Sequence, residues 1–228
     1  TSKTVEGLQS DLDMQAPPRR IEAFDNSNIQ GKHAVAGMVC FIDGKPRKGE
    51  YRKFNIKTVK GIDDFAMMHE VVTRKYKRVL DEGESLPDLI LIDGGKGQLS
   101  AAKSALDSLG LGYIPIIGLA KRLEEVYKPG ISDPQSISKS SPGIFLLRAI
   151  RDEVHRFAIS FHRQKRGKDM TKSIFDSIKG MGKTRTNKLW SEFSSLKQIK
   201  ESSNQQIMDR AGVSEKIAKE IKKKVNKI

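Results

Sequence analysis

The stretch Leu89-Ile90-Leu91-Ile92-Asp93-Gly94-Gly95-Lys96-Gly97-Gln98 decides the fold. Four apolar residues bounded by turn-forming ones read as a strand buried on both faces. Asp93 then sits at the carboxyl end of that strand, where open α/β sheets gather their ligands and catalytic groups. The glycines let a helix begin close under that end, with Lys96 and Gln98 near a bound backbone phosphate. A nucleotide-binding phosphate loop does not fit, because that motif needs Gly, four residues, then Gly-Lys-Ser/Thr, whereas Ile90 stands at the first glycine and Gly97 follows the lysine.

Upstream of this strand, Ile21 to Asp25, Ala34 to Ile42 and Tyr51 to Ile56 have strand character, and Asp43-Gly44 marks a hairpin turn. Asp63 to Asp81 has helical spacing. Downstream come a helix over Ser100 to Leu109, a buried strand over Ile114 to Ala120, and a long helix over Phe145 to Phe161. Lys121 to Pro142 carries the weakest pattern. A three-strand meander followed by alternating helix and strand predicts an α/β fold, a ribonuclease H-like mixed sheet with flanking helices. Residues 1–16 form a tail with a short helix, 17–165 the sheet domain, and the polar, basic stretch 166–173 a linker. Residues 174–228 form a small all-α domain.

Charge supports two modules. The 228 residues carry 42 Lys+Arg and 28 Asp+Glu, a net charge of +14, and residues 156–228 alone hold 19 basic against 7 acidic side chains. A basic tail behind a nearly balanced domain favours a polyanionic partner, since each cation near a phosphate releases condensed counterions. The apolar runs fall short of the roughly 20 residues a membrane span needs, and no signal pattern opens the chain, so a soluble cytoplasmic protein is expected. Cys40 is the single cysteine, which excludes an intrachain disulfide and a cysteine-built zinc site; it belongs to the core.

Four places could carry chemistry. Asp25 ends the run Ile21 to Phe24, and a mixed sheet could set it beside Asp93; two facing carboxylates repel unless one is protonated or a hard divalent cation lies between them. An aspartate ending a strand is also a common turn or helix cap. Asp63-Asp64 opens a helix, with Asp63 suited to capping and Asp64 the better candidate for a site. His155, in Arg151-Asp152-Glu153-Val154-His155, lies beside the buried stripe of the long helix, and an imidazole there can ligate a cation or move a proton.

The tail holds a weak internal repeat at an offset of 32 residues. Lys179-Gly180-Met181-Gly182-Lys183 with Thr186 and Leu189 aligns with Ala211-Gly212-Val213-Ser214-Glu215, Ala218 and Ile221. Each copy reads as helix, glycine turn, helix, a helix-hairpin-helix whose turn N–H groups cradle a phosphate. Lys179, Gly180, Gly182, Lys183 and Arg185 in the first copy, and Gly212, Ser214 and Lys216 in the second, are the candidate DNA contacts. Ser214 in place of Gly182 makes the second turn the poorer phosphate contact. Glycine as a simple helix stop is the competing reading for either motif alone.

Taken together, Phe24-Asp25-Asn26-Ser27, Gly61 to Met68, Leu91 to Gln98 and Arg151 to His155 resemble one family. They are similar, in order, to the C-terminal half of the UvrC family of excinucleases, which make the incisions in bacterial nucleotide excision repair. The resemblance implies a ribonuclease H-like endonuclease followed by tandem helix-hairpin-helix motifs, cutting DNA on the 5′ side of a lesion. It places the family's catalytic aspartates on Asp25 and Asp93, its histidine on His155, and a further acid on Asp64. Asp25, Asp93 and His155 would hold Mg²⁺ or Mn²⁺. Asn26 and Asn28 depart from many members. The family's N-terminal half, with its contact to the excinuclease B subunit, lies outside this sequence, so the chain is expected to be a fragment. The competitors are a non-catalytic DNA-binding or assembly module that keeps the nuclease fold, and another ribonuclease H-like nuclease acting on junctions or RNA.

Overall fold

The computed structural model describes residues 2–27, 34–57, 59, 63–193 and 195–227, without the side chains of 161–173. It divides into two units, 1–162 and 163–228. Asn28, Gly61 and Ile62 of the motifs above lie outside the described residues.

In the first unit, β1 (Arg20–Ser27) runs antiparallel to β2 (Val35–Ile42) and parallel to β5 (Leu89–Asp93). Strand β6 (Ile116–Leu119) continues the parallel set beside β5. On the far side of β2, the predicted third strand is β4 (Arg52–Asn55), preceded by the additional short β3 (Lys45–Pro46), both antiparallel to β2. The β2–β3 turn is Asp43-Gly44, with φ of +51° and +80°, the left-handed pair that a tight two-residue hairpin requires. β7 (Glu125–Tyr127) and β8 (Gln135–Ser136) extend the sheet beyond β6. They come from the stretch with the weakest pattern, where two or three residues per strand are too few to show alternation.

Alternation along β1 and β5 sorts their side chains onto two faces. Ile21, Ala23, Leu89 and Leu91 pack in one core with α1 (Lys3–Asp11) and the first half of α4 (Pro142–Asp176). Phe24, Ile90 and Ile92 pack in a second core with α2 (Asp64–Glu82) and α3 (Lys96–Ser108). By the same parity Asp25 and Asp93 fall on the α4 face. Buried Cys40 lies in β2 as expected, and burial pushes its thiol up to about 11.

Two helix boundaries differ from expectation. Helix α3 begins at Lys96, four residues before Ser100, because Gly95 in extended conformation caps it and Leu99 N–H donates to the Gly95 carbonyl at 3.1 Å. Helix α4 runs on to Asp176, so 166–173 is helical instead of irregular. Arg166, Lys168, Met170 and Lys172 are strong helix formers that alternate with the weaker Gly167, Asp169, Thr171 and Ser173, and no proline interrupts them.

The second unit is all helix beyond α4: α5 (Lys183–Glu192), α6 (Leu196–Glu201), α7 (Asn204–Ala211) and α8 (Glu215–Val225). Ile178, Leu189, Ile217 and Ile221 form its core with Phe175 and Phe193, and Trp190 packs against it. Thr186 and Ala218 are buried, as close helix approach requires.

Candidate functional site

Asp25 and Asp93 are direct partners in the parallel register of β1 and β5. Each ends an apolar strand, so the sheet fixes both carboxylates at one height, on one face, on neighbouring strands. His155 meets them from α4: its Nδ1 stands 3.0 Å from Asp25 Oδ2, and donor atoms of all three residues lie within 4.8 Å of one another.

What brings α4 so close is Gly37. It pairs with Asp25 on the β2 side, and a Cβ there would stand 2.9 Å from Phe157 Cδ1 and 3.3 Å from the Ala158 backbone. A glycine inside an apolar strand signals such an approach, a sign in the sequence that the motif reading passed over. Glu153 anchors the same turn from the other side, accepting from Tyr51 Oη at 3.0 Å and from two Arg156 nitrogens. Glu153 therefore faces away from the carboxylates, and Asp152 is exposed; neither joins the cluster.

Burial, then the Asp93 charge, push the Asp25 carboxyl up to about 7, while the contact with His155 pulls it back. Burial likewise raises Asp93, opposed by His155 and Arg151. Both shifts have the cause expected of carboxylates drawn together out of water.

Asp63 caps α2, its side chain accepting from the Ala66 N–H at 3.0 Å. Asp64 begins α2 and lies outside the three-residue cluster. Asn26, next to Asp25, ties that helix start to β1 by donating from Nδ2 to the Asp64 carbonyl at 3.0 Å. Asn26 Oδ1 and Gln98 Oε1 are buried without a hydrogen-bond partner. Gln98 Oε1 crowds Gly94, where any Cβ would overlap it. Lys96 is exposed and holds its ammonium 5.3 Å from the Tyr127 ring centre.

These donors suit a hard divalent cation. Two carboxylates and one imidazole are oxygen and nitrogen ligands of the kind that Mg²⁺ or Mn²⁺ accepts, and the two unpartnered amide oxygens show a neighbourhood rich in acceptors and poor in donors.

In the helical unit the two glycine turns are built differently. Gly180 has φ of +99° and its carbonyl accepts from Arg185 Nη1 at 2.7 Å, so Arg185 braces the first turn. Gly182 caps α5 with no side chain to occupy its first N–H groups. In the second turn Gly212 has φ of +65°, but the Ser214 hydroxyl accepts from the Ile217 N–H, occupying one donor as its sequence position suggested. Lys179, Lys183 and Lys216 are exposed. Lys222 instead donates to the Lys200 and Ser202 carbonyls, each at 2.6 Å, a structural tie.

A mixed sheet carrying two carboxylates on adjacent parallel strand ends, with an imidazole from a packed helix, defines a ribonuclease H-like endonuclease fold. Residues 9–159 match the UvrC RNase H endonuclease domain, and this chain belongs to that family. Residues 173–227 match the SAM-like helix-hairpin-helix tandem. The chain is 50% identical over 212 residues to UvrABC system protein C of Christiangramia forsetii, covering 92% of this chain and 36% of that protein. It is 52% identical over 207 residues to the Cytophaga hutchinsonii protein of the same name, covering 90% and 35%. The chain thus spans about a third of the length of these curated relatives. A solved structure of Ciona intestinalis endonuclease V with DNA is 12% identical at a TM-score of 0.42, covering 71% of this chain and 95% of that one. Among the described residues, no helix is long and apolar enough to cross a membrane.

Proposed function

We propose that this chain is a divalent-metal-dependent DNA endonuclease of nucleotide excision repair that makes the incision 5′ to a lesion. The observation that carries the proposal is the in-register pair Asp25 and Asp93 with His155 closing on it. Asp25, Asp93 and His155 would hold Mg²⁺ or Mn²⁺. Such an ion supplies charge for the phosphate and lowers the pKa of a bound water. Asp25 and Asp93 fix the place of that charge because two strands hold them rigidly. His155, more than half exposed, would use Nε2 either to complete the ligand set or to pass a proton, while Nδ1 stays on Asp25. The cut is hydrolysis of one phosphodiester, leaving a 3′-hydroxyl and a 5′-phosphate. Asp64, carried over from the family, would be a further acid of the catalytic site.

The helical unit would bind the DNA backbone without regard to sequence, chiefly through the first turn, with Lys179, Gly180, Gly182 and Lys183, supported by Arg185. Gly212, Ser214 and Lys216 would give the weaker second contact. Lys96 would meet phosphate beside the catalytic cluster. The lesion itself would be delivered by the excinuclease B subunit, a partner carried over from the family.

The test is Mn²⁺- or Mg²⁺-dependent nicking of supercoiled plasmid by the wild type and Asp93→Asn side by side. Nicking that needs metal and disappears in the variant, with DNA binding near normal, is expected. Equal nicking by both would overturn the assignment of Asp93. Binding without nicking, persisting after damage-loaded B subunit is added, would overturn the nuclease reading.

A further inference from the structure

Phe65 is a large aromatic left 56% exposed at the second position of α2. Its place is built. The outer end of the ring lies with its face against Gly97, where a Cβ would stand above the ring plane and overlap Cζ and both Cε atoms. The helix start that carries Phe65 is itself tied to β1 by the Asn26 bond to the Asp64 carbonyl. With one face resting on glycine and the residue more than half exposed, the area left open lies on the opposite face and the ring edge.

The surroundings say what that face could take. Gly97 stands four residues after Asp93, in the first turn of α3. Lys96, beside it, is an exposed cation. Gly95 caps α3 without a side-chain hydrogen bond to the first N–H groups. An aromatic face, a cation and open backbone donors therefore surround one helix turn next to the carboxylate pair. A phosphate satisfies the cation and the donors, whereas the ring needs a flat apolar partner attached to that phosphate. A nucleobase is both flat and so attached, and stacking on aromatic side chains tolerates any base.

We propose that Phe65 is a stacking platform for a nucleobase that leaves the duplex next to the scissile phosphate, positioning that phosphate toward Asp25, Asp93 and His155. The proposal rests on the nuclease reading and deepens it: the strand to be cut is held by one unpaired base as well as by its backbone. It accounts for a large aromatic ring kept out of the protein interior, and for a glycine at 97 where a helix would otherwise accept alanine.

The experiment places 2-aminopurine, a base that brightens when it loses its stacked neighbours, at each position within two nucleotides of the mapped nick. Binding is followed in chelator, so that nothing is cut, and single-turnover nicking is then measured with Mn²⁺. One position should brighten with the wild type and with Phe65→Tyr, and fail to brighten with Phe65→Leu. Nicking by Phe65→Leu should fall about 5- to 150-fold, the range of base–aromatic stacking, with the salt dependence of binding unchanged. Gly97→Ala, which displaces the ring and leaves Phe65 in place, should lose the brightening as well. Normal nicking by the wild type with no bright position, or with a bright position that survives Phe65→Leu, overturns the platform and leaves the nuclease reading intact. No metal-dependent nicking by the wild type would bring down both.

Discussion

Replacing Asp25 with asparagine should stabilise the metal-free protein at alkaline pH, although it removes a proposed metal ligand. In the unfolded chain this carboxyl titrates near 3.8, and in the folded one at about 7. A raised folded value means that the stability it contributes is fully present below about pH 4 and is lost as pH rises through about 7. Above that point the sheet bears the cost of a charge buried beside Asp93. The shift of about three pH units corresponds to a ceiling of roughly 4 kcal/mol. Asparagine carries no charge but keeps a polar group facing His155, so about half of that ceiling, ~2 kcal/mol, should be recovered. For a chain of this size that is about 4–8 °C in Tm. Calorimetry in chelator would read it, with fluorescence of Trp190, the single tryptophan, marking the helical unit separately. The gap should be present at about pH 8 and shrink as pH falls through about 7, vanishing only below about pH 4, where the wild-type carboxyl is protonated in the folded and unfolded chain alike and resembles the amide. Mn²⁺ should reverse the order: an ion at 100 times its Kd adds about 2.7 kcal/mol to the wild type and little to the variant. A variant that melts below the wild type at about pH 8 in chelator, or a gap that is the same at both pH values, would refute the reasoning.

Gly37→Ala should cost about 1–3 kcal/mol by forcing α4 off β2 at Phe157 and Ala158. Its nicking should fall well beyond what the loss of folded protein explains, because His155 is carried away from Asp25; melting curves and single-turnover rates measured together check this. Tyr76→Phe leaves Glu22 Oε1, fully buried, without the hydroxyl that donates to it at 2.9 Å. Urea unfolding should show a loss of about 1–3 kcal/mol, with nicking unchanged well below the transition. Removing residues 174–228 should weaken DNA binding and flatten its salt dependence, each lost phosphate contact taking about 0.9 from the log–log slope. An unchanged slope in a salt titration would place the backbone contacts elsewhere.

The two carboxylates were legible because their cause is local. An apolar run of four or five residues ending in aspartate says strand, and the period of two then says which face the aspartate takes. Their pairing in register needed only that β1 and β5 be neighbours, which a meander followed by crossover helices allows. His155 was different. Nothing in the spacing of one helical histidine says what it will meet, and it entered through the joint resemblance of four motifs. Its actual meeting with Asp25 is decided by Gly37, 118 positions earlier in the chain, a packing relation that no local pattern carries. The helical course of 166–173 and the short strands β7 and β8 were illegible for different reasons. In the first, Arg166, Lys168, Met170 and Lys172 alternate with the weaker helix formers Gly167, Asp169, Thr171 and Ser173, and no apolar stripe announces the helix; in the second, β7 pairs with β6 and β8 with β7 over two or three residues, too few to show alternation.

Elsewhere in the sheet unit buried carboxylates are neutralised by their surroundings. Glu22 is fully buried but accepts from Tyr76 Oη at 2.9 Å and pairs with Arg20 at 2.8 Å. Glu70, almost as buried, accepts from the Lys57 N–H and pairs with Arg74. A fold able to supply such partners sets Asp25 and Asp93 side by side with one mostly exposed histidine between them and water, and keeps the unpartnered amide oxygens of Asn26 and Gln98 on the segments that follow these two aspartates. Left to itself the arrangement costs stability, as the raised Asp25 and Asp93 carboxyls express. A divalent cation removes that cost in one step, since it is the partner that oxygen donors from both strands can share. The same donors that destabilise the empty sheet end therefore give the ion its affinity. This is why the fate of Asp25→Asn, more stable without metal and less responsive to it, tests the site more sharply than loss of activity alone.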